Sequence, residues 1–320
     1  MPGEGREAGP GAFLTLESTG WEDYALLDTG GGMKLERFGS CKLARPEVQA
    51  VWRRAGDGQL WADVDATFIG SAEESGGHWK RATEINEPWK MSYDVNPHAS
   101  RADERVVLQF RARTTQGRHL GVFPEGGANW QWLFGQIRDR ISRGHTVNVL
   151  NLFGYTGLAT LAAAAAGATV THVDASRTSV DWARANQQLS DLGDRQIRWI
   201  VDDALKYVLR EGRRGVKYDG IILDPPKFGR GPKGEVWELF RSLPRLLEAC
   251  RATLSRMPVF ALLTVYAVKF SAIHAAQALE EMVAGQAGSM QSGELVTREQ
   301  AAGRLLSQAV FARWSADQSE

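Results

Sequence analysis

Between Val147 and Gly157 a largely apolar run, Val147-Asn148-Val149-Leu150-Asn151-Leu152-Phe153, passes directly into Gly154-Tyr155-Thr156-Gly157 and then into the helix-forming stretch Leu158 to Ala166. A strand of this kind, turned by glycines into a helix, opens a βαβ unit and commits the chain to a parallel sheet covered by helices. The rhythm then repeats. Thr169 to Val173, Ile197 to Val201, Tyr218 to Leu223 and Val259 to Val265 read as further strands. Helical patterns fall at Ser179 to Leu189, Ala204 to Arg210, Val236 to Leu254 and Ala272 to Ala284. Five parallel strands are implied, and Gly293 to Arg298 with Leu305 to Trp314 add a terminal antiparallel hairpin. The expectation is an α/β fold with a Rossmann-like, seven-stranded sheet over residues 119–320.

Ahead of that unit the texture differs. From about Phe13 to Arg118 the chain is rich in Trp and Gly, with short alternating stretches such as Val106 to Arg113 and turn signals at Asp28-Thr29-Gly30-Gly31-Gly32, Ala55-Gly56-Asp57-Gly58 and Glu74-Ser75-Gly76-Gly77. Residues 13–118 therefore read as a small β-rich domain, and residues 1–12, which lack an apolar signal core, as a disordered start. Trp21, Trp52, Trp61, Trp79 and Trp89 suit its core better than a base-stacking platform. Basic and acidic residues balance at 38 each, so any nucleic-acid surface must be local. With only Cys41 and Cys250, far apart, there is neither a disulfide framework nor a zinc motif, and no apolar run is long enough for a membrane span. A cytoplasmic protein without metal is expected.

In an open parallel sheet, ligands lie beyond the carboxyl ends of the strands, where strand order reverses. Gly154 and Gly157 at the first turn would let backbone approach a ligand, and the free N–H groups of the following helix would face it. A dinucleotide fingerprint would need glycine where Leu152 stands, which disfavours a nicotinamide enzyme. Asp174, twenty residues after Gly154, ends the second strand where a carboxylate can accept from both hydroxyls of a ribose. Asp203-Ala204 ends the third, placed either to accept an adenine amine or to cap a helix. Leu223-Asp224-Pro225-Pro226-Lys227-Phe228-Gly229 ends the fourth. Its prolines stop the strand and stiffen an acceptor edge against which an amine or base could be oriented, with Phe228 available to stack. The loop after it carries Lys227, Arg230 and Lys233, cations suited to phosphates or simply to solvent.

In that order, these motifs resemble the class I S-adenosylmethionine-dependent methyltransferases. The turn Asn151-Leu152-Phe153-Gly154-Tyr155-Thr156-Gly157 is similar to that of bacterial large-subunit rRNA methyltransferases acting on cytosine carbon 5. The resemblance spans roughly His119 to Trp314. It implies that Phe123-Pro124-Glu125 borders the cofactor and that Asn151 and Phe153 to Gly157 hold its methionine end. Asp174-Ala175-Ser176 would take the ribose, and Asp203-Ala204 the adenine. Asp224 to Lys227 would face the target, with Phe228, Arg230, Lys233 and Tyr266 as substrate contacts. Those enzymes attack with a cysteine just after the fifth strand, where this chain has Leu263-Thr264-Val265-Tyr266-Ala267-Val268-Lys269. Direct methyl transfer to an RNA base atom or amine, most readily of rRNA, is the leading expectation. A protein or small-molecule substrate, or a non-catalytic RNA-binding assembly factor, are the alternatives.

Overall fold

The computed structural model describes residues 13–56, 58–71, 76–99, 101, 104–266 and 269–317, so the expected disordered start and Ala267-Val268 lie outside the described residues. Its first third is all strand: β1 (Phe13–Glu17), β2 (Tyr24–Gly30), β3 (Met33–Phe38), β4 (Cys41–Pro46), β5 (Ala66–Gly70), β6 (Gly77–Arg81), β7 (Trp89–Asp94) and β8 (Val107–Ala112). Gly31 and Gly32, with φ of 60° and 74°, make the two-residue turn that folds β2 onto β3 with the twist a hairpin needs. β2 to β6 form one five-stranded sheet, and β7 pairs with β8. The outer edge of β8 is not left open. Arg111 N donates to Asn186 Oδ1 and Gln109 N to Ser190 Oγ, both at 3.0 Å, so side chains of the following unit take the ladder's place.

A single 3-10 turn, Pro124–Gly126, leads into α1 (Gly127–Ser142), and the βα rhythm begins. It runs β9 (Asn148–Leu152), α2 (Leu158–Ala165), β10 (Thr169–Asp174), α3 (Arg177–Leu189), β11 (Ile197–Val201), α4 (Ala204–Arg213) and β12 (Gly220–Leu223). A short hairpin follows, β13 (Phe228–Arg230) with β14 (Val236–Glu238), then α5 (Leu239–Arg251), β15 (Phe260–Tyr266), α6 (Ala272–Met282), β16 (Gly288–Arg298) and β17 (Leu305–Ala316). The central sheet has the order β1-β16-β17-β15-β12-β9-β10-β11. β15, β12, β9, β10 and β11 are parallel, whereas β17 runs antiparallel to both β15 and β16. From β9 the chain winds outward to β11, then returns across β9 to β12. Strand order thus reverses between β9 and β12.

Two details depart from the sequence reading. β1 leaves the N-terminal strands and pairs in parallel with β16, making the sheet eight-stranded, because Leu14 and Leu16 pack against the cluster of Leu295, Ala309 and Phe311. Val236–Glu238 is strand rather than the start of the helix, since those residues pair with Phe228–Arg230. The core is continuous. One cluster runs from Phe38, Leu43 and Phe110 through Leu133 to Val149 and Leu161, joining the N-terminal strands to one face of the central sheet. Among the described residues no helix is long and apolar enough to cross a membrane.

Candidate active site

The turn after β9 is built on left-handed backbone. Phe153 and Tyr155 have φ of 59° and 49°, uncommon for residues carrying a Cβ and held here by flanking hydrogen bonds. Gly154 N donates to Val173 O at 3.1 Å, and Tyr155 N to Asp174 Oδ2 at 2.9 Å. Ser176 N donates to Asp174 Oδ1 at 2.8 Å, so each carboxylate oxygen accepts one amide and keeps a lone pair toward the groove. The glycines have a packing cause that the sequence did not reveal. A Cβ on Gly154 would lie 2.4 Å from His172 Cε1, and one on Gly157 would lie 2.8 Å from the Ala183 methyl of α3. Packing beneath the turn therefore demands glycine at both positions. Gly157, at φ 89°, leaves the first turn of α2 without a side-chain cap, so its amides remain available.

Beneath the turn lies a small polar chamber. Asn151 is fully buried, its Nδ2 donating to Thr160 Oγ1 at 2.8 Å, and Thr160 Oγ1 meets His172 Nδ1 at 2.9 Å. Burial drives the His172 pKa down to about 3, so the ring stays neutral. Asn151 Oδ1 and, across from it, Asn129 Nδ2 of α1 are buried without a hydrogen-bond partner. Both residues line a cavity of about 60 Å³, together with Gly154, Thr156, Asp224, Thr264 and Tyr266.

Above the turn opens a groove of about 1090 Å³ at the carboxyl ends of the parallel strands. It brings together Phe123, Phe153, Tyr155, Asp174, Ala175, Ser176, Asp203, Ala204, Asp224, Pro225, Pro226, Arg230 and Tyr266, all singled out from sequence. Its floor is acidic and its walls aromatic. The Asp224 carboxyl is pushed up to about 8, first by burial and then by the nearby Glu125 and Asp174. Burial also raises Asp174. Phe123 lies against Tyr155 and Tyr266, with ring centroids 5.8 and 5.0 Å apart. Asp203 caps α4, accepting from Lys206 N at 2.9 Å, so the capping alternative holds for one of its oxygens.

The remaining predicted residues fall elsewhere. Thr156 is buried, donating to Gly121 O at 2.6 Å, and lines the chamber rather than the groove. Pro124 and Glu125 face a seam between β3, β4 and β17, beside Lys34, Arg45 and Gln308. Glu125 is buried and its carboxyl raised, chiefly by desolvation, and it lines this seam rather than the groove. The free acceptor edge expected at the two prolines is partly taken, because Trp237 Nε1 donates to Pro226 O at 2.7 Å. The loop expected after it is a hairpin. Lys206 ties down Glu235 within it, and Lys233 N donates to Glu235 Oε2 at 2.9 Å, while Arg230 and Gly231, not Lys233, line the groove. Lys227 and Phe228 stand on the outside, Phe228 61% exposed. Asn129 and Trp237, which the sequence reading missed, carry no local signal, since only the return of α1 and β14 over the turn brings them in. The five tryptophans of the N-terminal region stay structural: Trp61 Nε1 donates to Asp28 Oδ2 at 2.7 Å, Trp52 Nε1 to Thr29 Oγ1 and Trp21 Nε1 to Pro124 O. Cys250 is fully buried, and burial holds its thiol well above the usual range.

Comparison with known proteins gives the groove a context. Residues 105–294 match a family described as S-adenosylmethionine-dependent methyltransferase. Over 98% of this chain, and 97% of its own, the crystal structure of a SAM-dependent methyltransferase from Agrobacterium tumefaciens superposes with a TM-score of 0.86 at 41% identity. Proteins named ribosomal RNA large subunit methyltransferase K/L are 37% identical over 153 residues in Methylococcus capsulatus and 38% identical over 182 residues in Pseudomonas paraeruginosa. The matches cover 41% and 48% of this chain but only 21% and 24% of those longer proteins.

Proposed function

The chain belongs to the S-adenosylmethionine-dependent methyltransferases, and from that premise we propose that it methylates a base of RNA, in particular ribosomal RNA, by direct in-line transfer. The observation that carries this reading is the size and placement of the groove. At about 1090 Å³ it lies at the top of the roughly 300 to 1,000 Å³ range of small-molecule pockets, and it joins the turn after β9 to the Asp224-Pro225-Pro226 edge. Room for a nucleoside cofactor and for a second ring is therefore continuous. The names borne by the partial relatives support an RNA target.

The residues present fit the cofactor. The orphaned Asn151 Oδ1 is an acceptor for its ammonium group, and Asn129 Nδ2 with the uncapped first turn of α2 supplies donors for its carboxylate. Asp174 is free to accept a ribose hydroxyl on each oxygen, and Asp203 with Ala204 lies where the adenine would end. When bound, S-adenosylmethionine supplies a methyl group already activated by a sulfonium. The chain's task is then to orient. Pro225, Pro226 and the Trp237 indole fix the Asp224 main chain, while Phe123 and Tyr266 wall the target side and exclude water. Holding nucleophile and methyl in line is worth roughly 7 to 11 kcal/mol of the barrier. Asp224, protonated up to a pH of about 8, can donate to a ring acceptor and, once ionised, can take the proton of an amine. Because β15 ends in Tyr266 without a thiol at its described positions and Cys250 is sealed in the core, no covalent adduct to the ring is part of this scheme.

In this reading residues 119–320 perform the transfer, and residues 13–118 form the far lip of the groove through Thr114, Thr115 and Gly117. An rRNA substrate places the enzyme in the cytoplasm. Mass spectrometry of rRNA from cells with and without the protein provides the test. One methylated nucleotide should disappear in its absence and return with the wild-type chain but not with Asp174→Ala, whose cofactor affinity should fall about tenfold or more. Unchanged rRNA, with a labelled protein or small molecule instead, would refute the RNA assignment.

A further inference from the structure

Eleven large apolar side chains stand exposed among the described residues, and four of them lie on or directly after the β13–β14 hairpin and at the start of α6, next in the chain to strand ends that line the groove. Phe228 is 61% exposed, Val236 71%, Phe240 53% and Ile273 63%. Topology explains their placement. Phe228 lies opposite Glu238, and Arg230 opposite Val236, so these four share the outer face of the β13–β14 hairpin, while Trp237 points inward and is buried. Phe240 is the second residue of α5, directly after the hairpin. Its ring centroid is 5.8 Å from that of Phe270, which precedes α6 and Ile273. Every one of these residues follows the carboxyl end of β12 or β15, the two strands that deliver Asp224 and Tyr266.

Resting on the RNA reading above, we propose that this edge is a stacking platform for the unpaired nucleotides that flank the target, so that the substrate is a single-stranded or looped segment rather than a closed duplex. Flat aromatic faces suit bases of any sequence, and cations beside them suit the backbone. Both are present. Lys227 Nζ lies 5.8 Å from the Phe228 ring centroid, Lys269 precedes Phe270, and Arg230 both shares the face of Val236 and lines the groove. Of the nearby carboxylates, Glu235 is engaged by Lys206, and Glu238 stands opposite Phe228 on the same face. Gly229, Arg230 and Trp237 of the hairpin line the groove itself, so a nucleotide turned into it would carry its neighbours past this edge.

Fluorescence anisotropy with a labelled 12-nucleotide oligouridylate and a 12-base-pair RNA duplex tests the proposal. The single strand should bind better than the duplex, and Phe240→Ala should weaken it about 5- to 150-fold while Phe240→Trp retains it. Calorimetry with S-adenosylhomocysteine should show unchanged affinity in both variants, establishing that they are folded. If the wild type binds and methylates rRNA but Phe240→Ala and Val236→Ser stay within twofold of it, the platform is refuted and the RNA reading stands. If the wild type neither binds RNA nor methylates rRNA, both fall together. A photocrosslinker at position 240 should capture RNA in cells; capture of a protein without RNA would overturn the platform.

Discussion

At the scale of single residues, Asp224 couples stability to chemistry. Its carboxyl, ordinarily near 3.8, titrates at about 8 in the folded chain. Between those values the folded state holds a proton that the unfolded chain has released, so stability falls as pH rises from about 4 to about 8. Asp224→Asn, neutral throughout, should raise Tm above wild type at pH 8 and leave it nearly unchanged at pH 4, as differential scanning fluorimetry can read. The same proton governs affinity for a cation. An ionised Asp224 attracts a sulfonium whereas a protonated one does not, so preference for S-adenosylmethionine over S-adenosylhomocysteine should grow up to about pH 8 and level off. Isothermal titration of both ligands at several pH values checks this, and a ratio that never moves would remove Asp224 from contact with the donor. Asp174 and Asp224 were legible because a carboxylate directly after an apolar strand has few structural reasons to be there. Glu125 was not, because its burial in the seam comes from β3 and β4, distant in sequence.

Among the elements, the turn between β9 and α2 shows how a correct motif can have an unforeseen cause. Gly154 was readable as a position intolerant of a side chain, but the intolerance comes from His172 on the neighbouring strand, 2.4 Å from where a Cβ would stand. Gly154→Ala should therefore cost about 1 to 3 kcal/mol by overpacking and displace the amides that hold Asp174. Combined with His172→Ala, which removes the obstructing ring, much of that increment should vanish. Chemical denaturation of the four members of this cycle measures the coupling, and purely additive costs would place the constraint elsewhere. The strands and helices of the βα rhythm were visible because their periods differ and glycines punctuate them. The β13–β14 hairpin was hidden, since Val236-Trp237-Glu238 continues the apolar pattern of α5 and only pairing with Phe228–Arg230 distinguishes it.

For the molecule as a whole, the question is whether the N-terminal strands are an appendage or part of one cooperative body. Sequence texture separates residues 13–118 from the rest, but texture reports local composition and not shared core. The terminal hairpin reaches back to the N-terminal sheet. Gln300 N donates to Leu26 O at 2.9 Å and Ala301 N to Leu27 O at 3.0 Å. Beside them, the fully buried Asp28 accepts from Ala55, Gly56 and Trp61, and Arg304 bridges Asp28 to the buried Glu299, which Thr29 also contacts. Removing one partner from a buried charged network typically costs about 3 to 5 kcal/mol, because the charges left behind lose their compensation. Arg304→Ala leaves the buried Glu299 without its charged partner and removes one of several contacts to Asp28. It should lower Tm while unfolding stays a single calorimetric transition, with tryptophan fluorescence and far-UV circular dichroism moving together. The continuous cluster from Phe38 to Leu161 demands that result, because neither face of it can be exposed without the other. An early transition confined to tryptophan fluorescence, with cofactor binding intact, would instead show that the N-terminal sheet melts alone and that the catalytic unit stands without it.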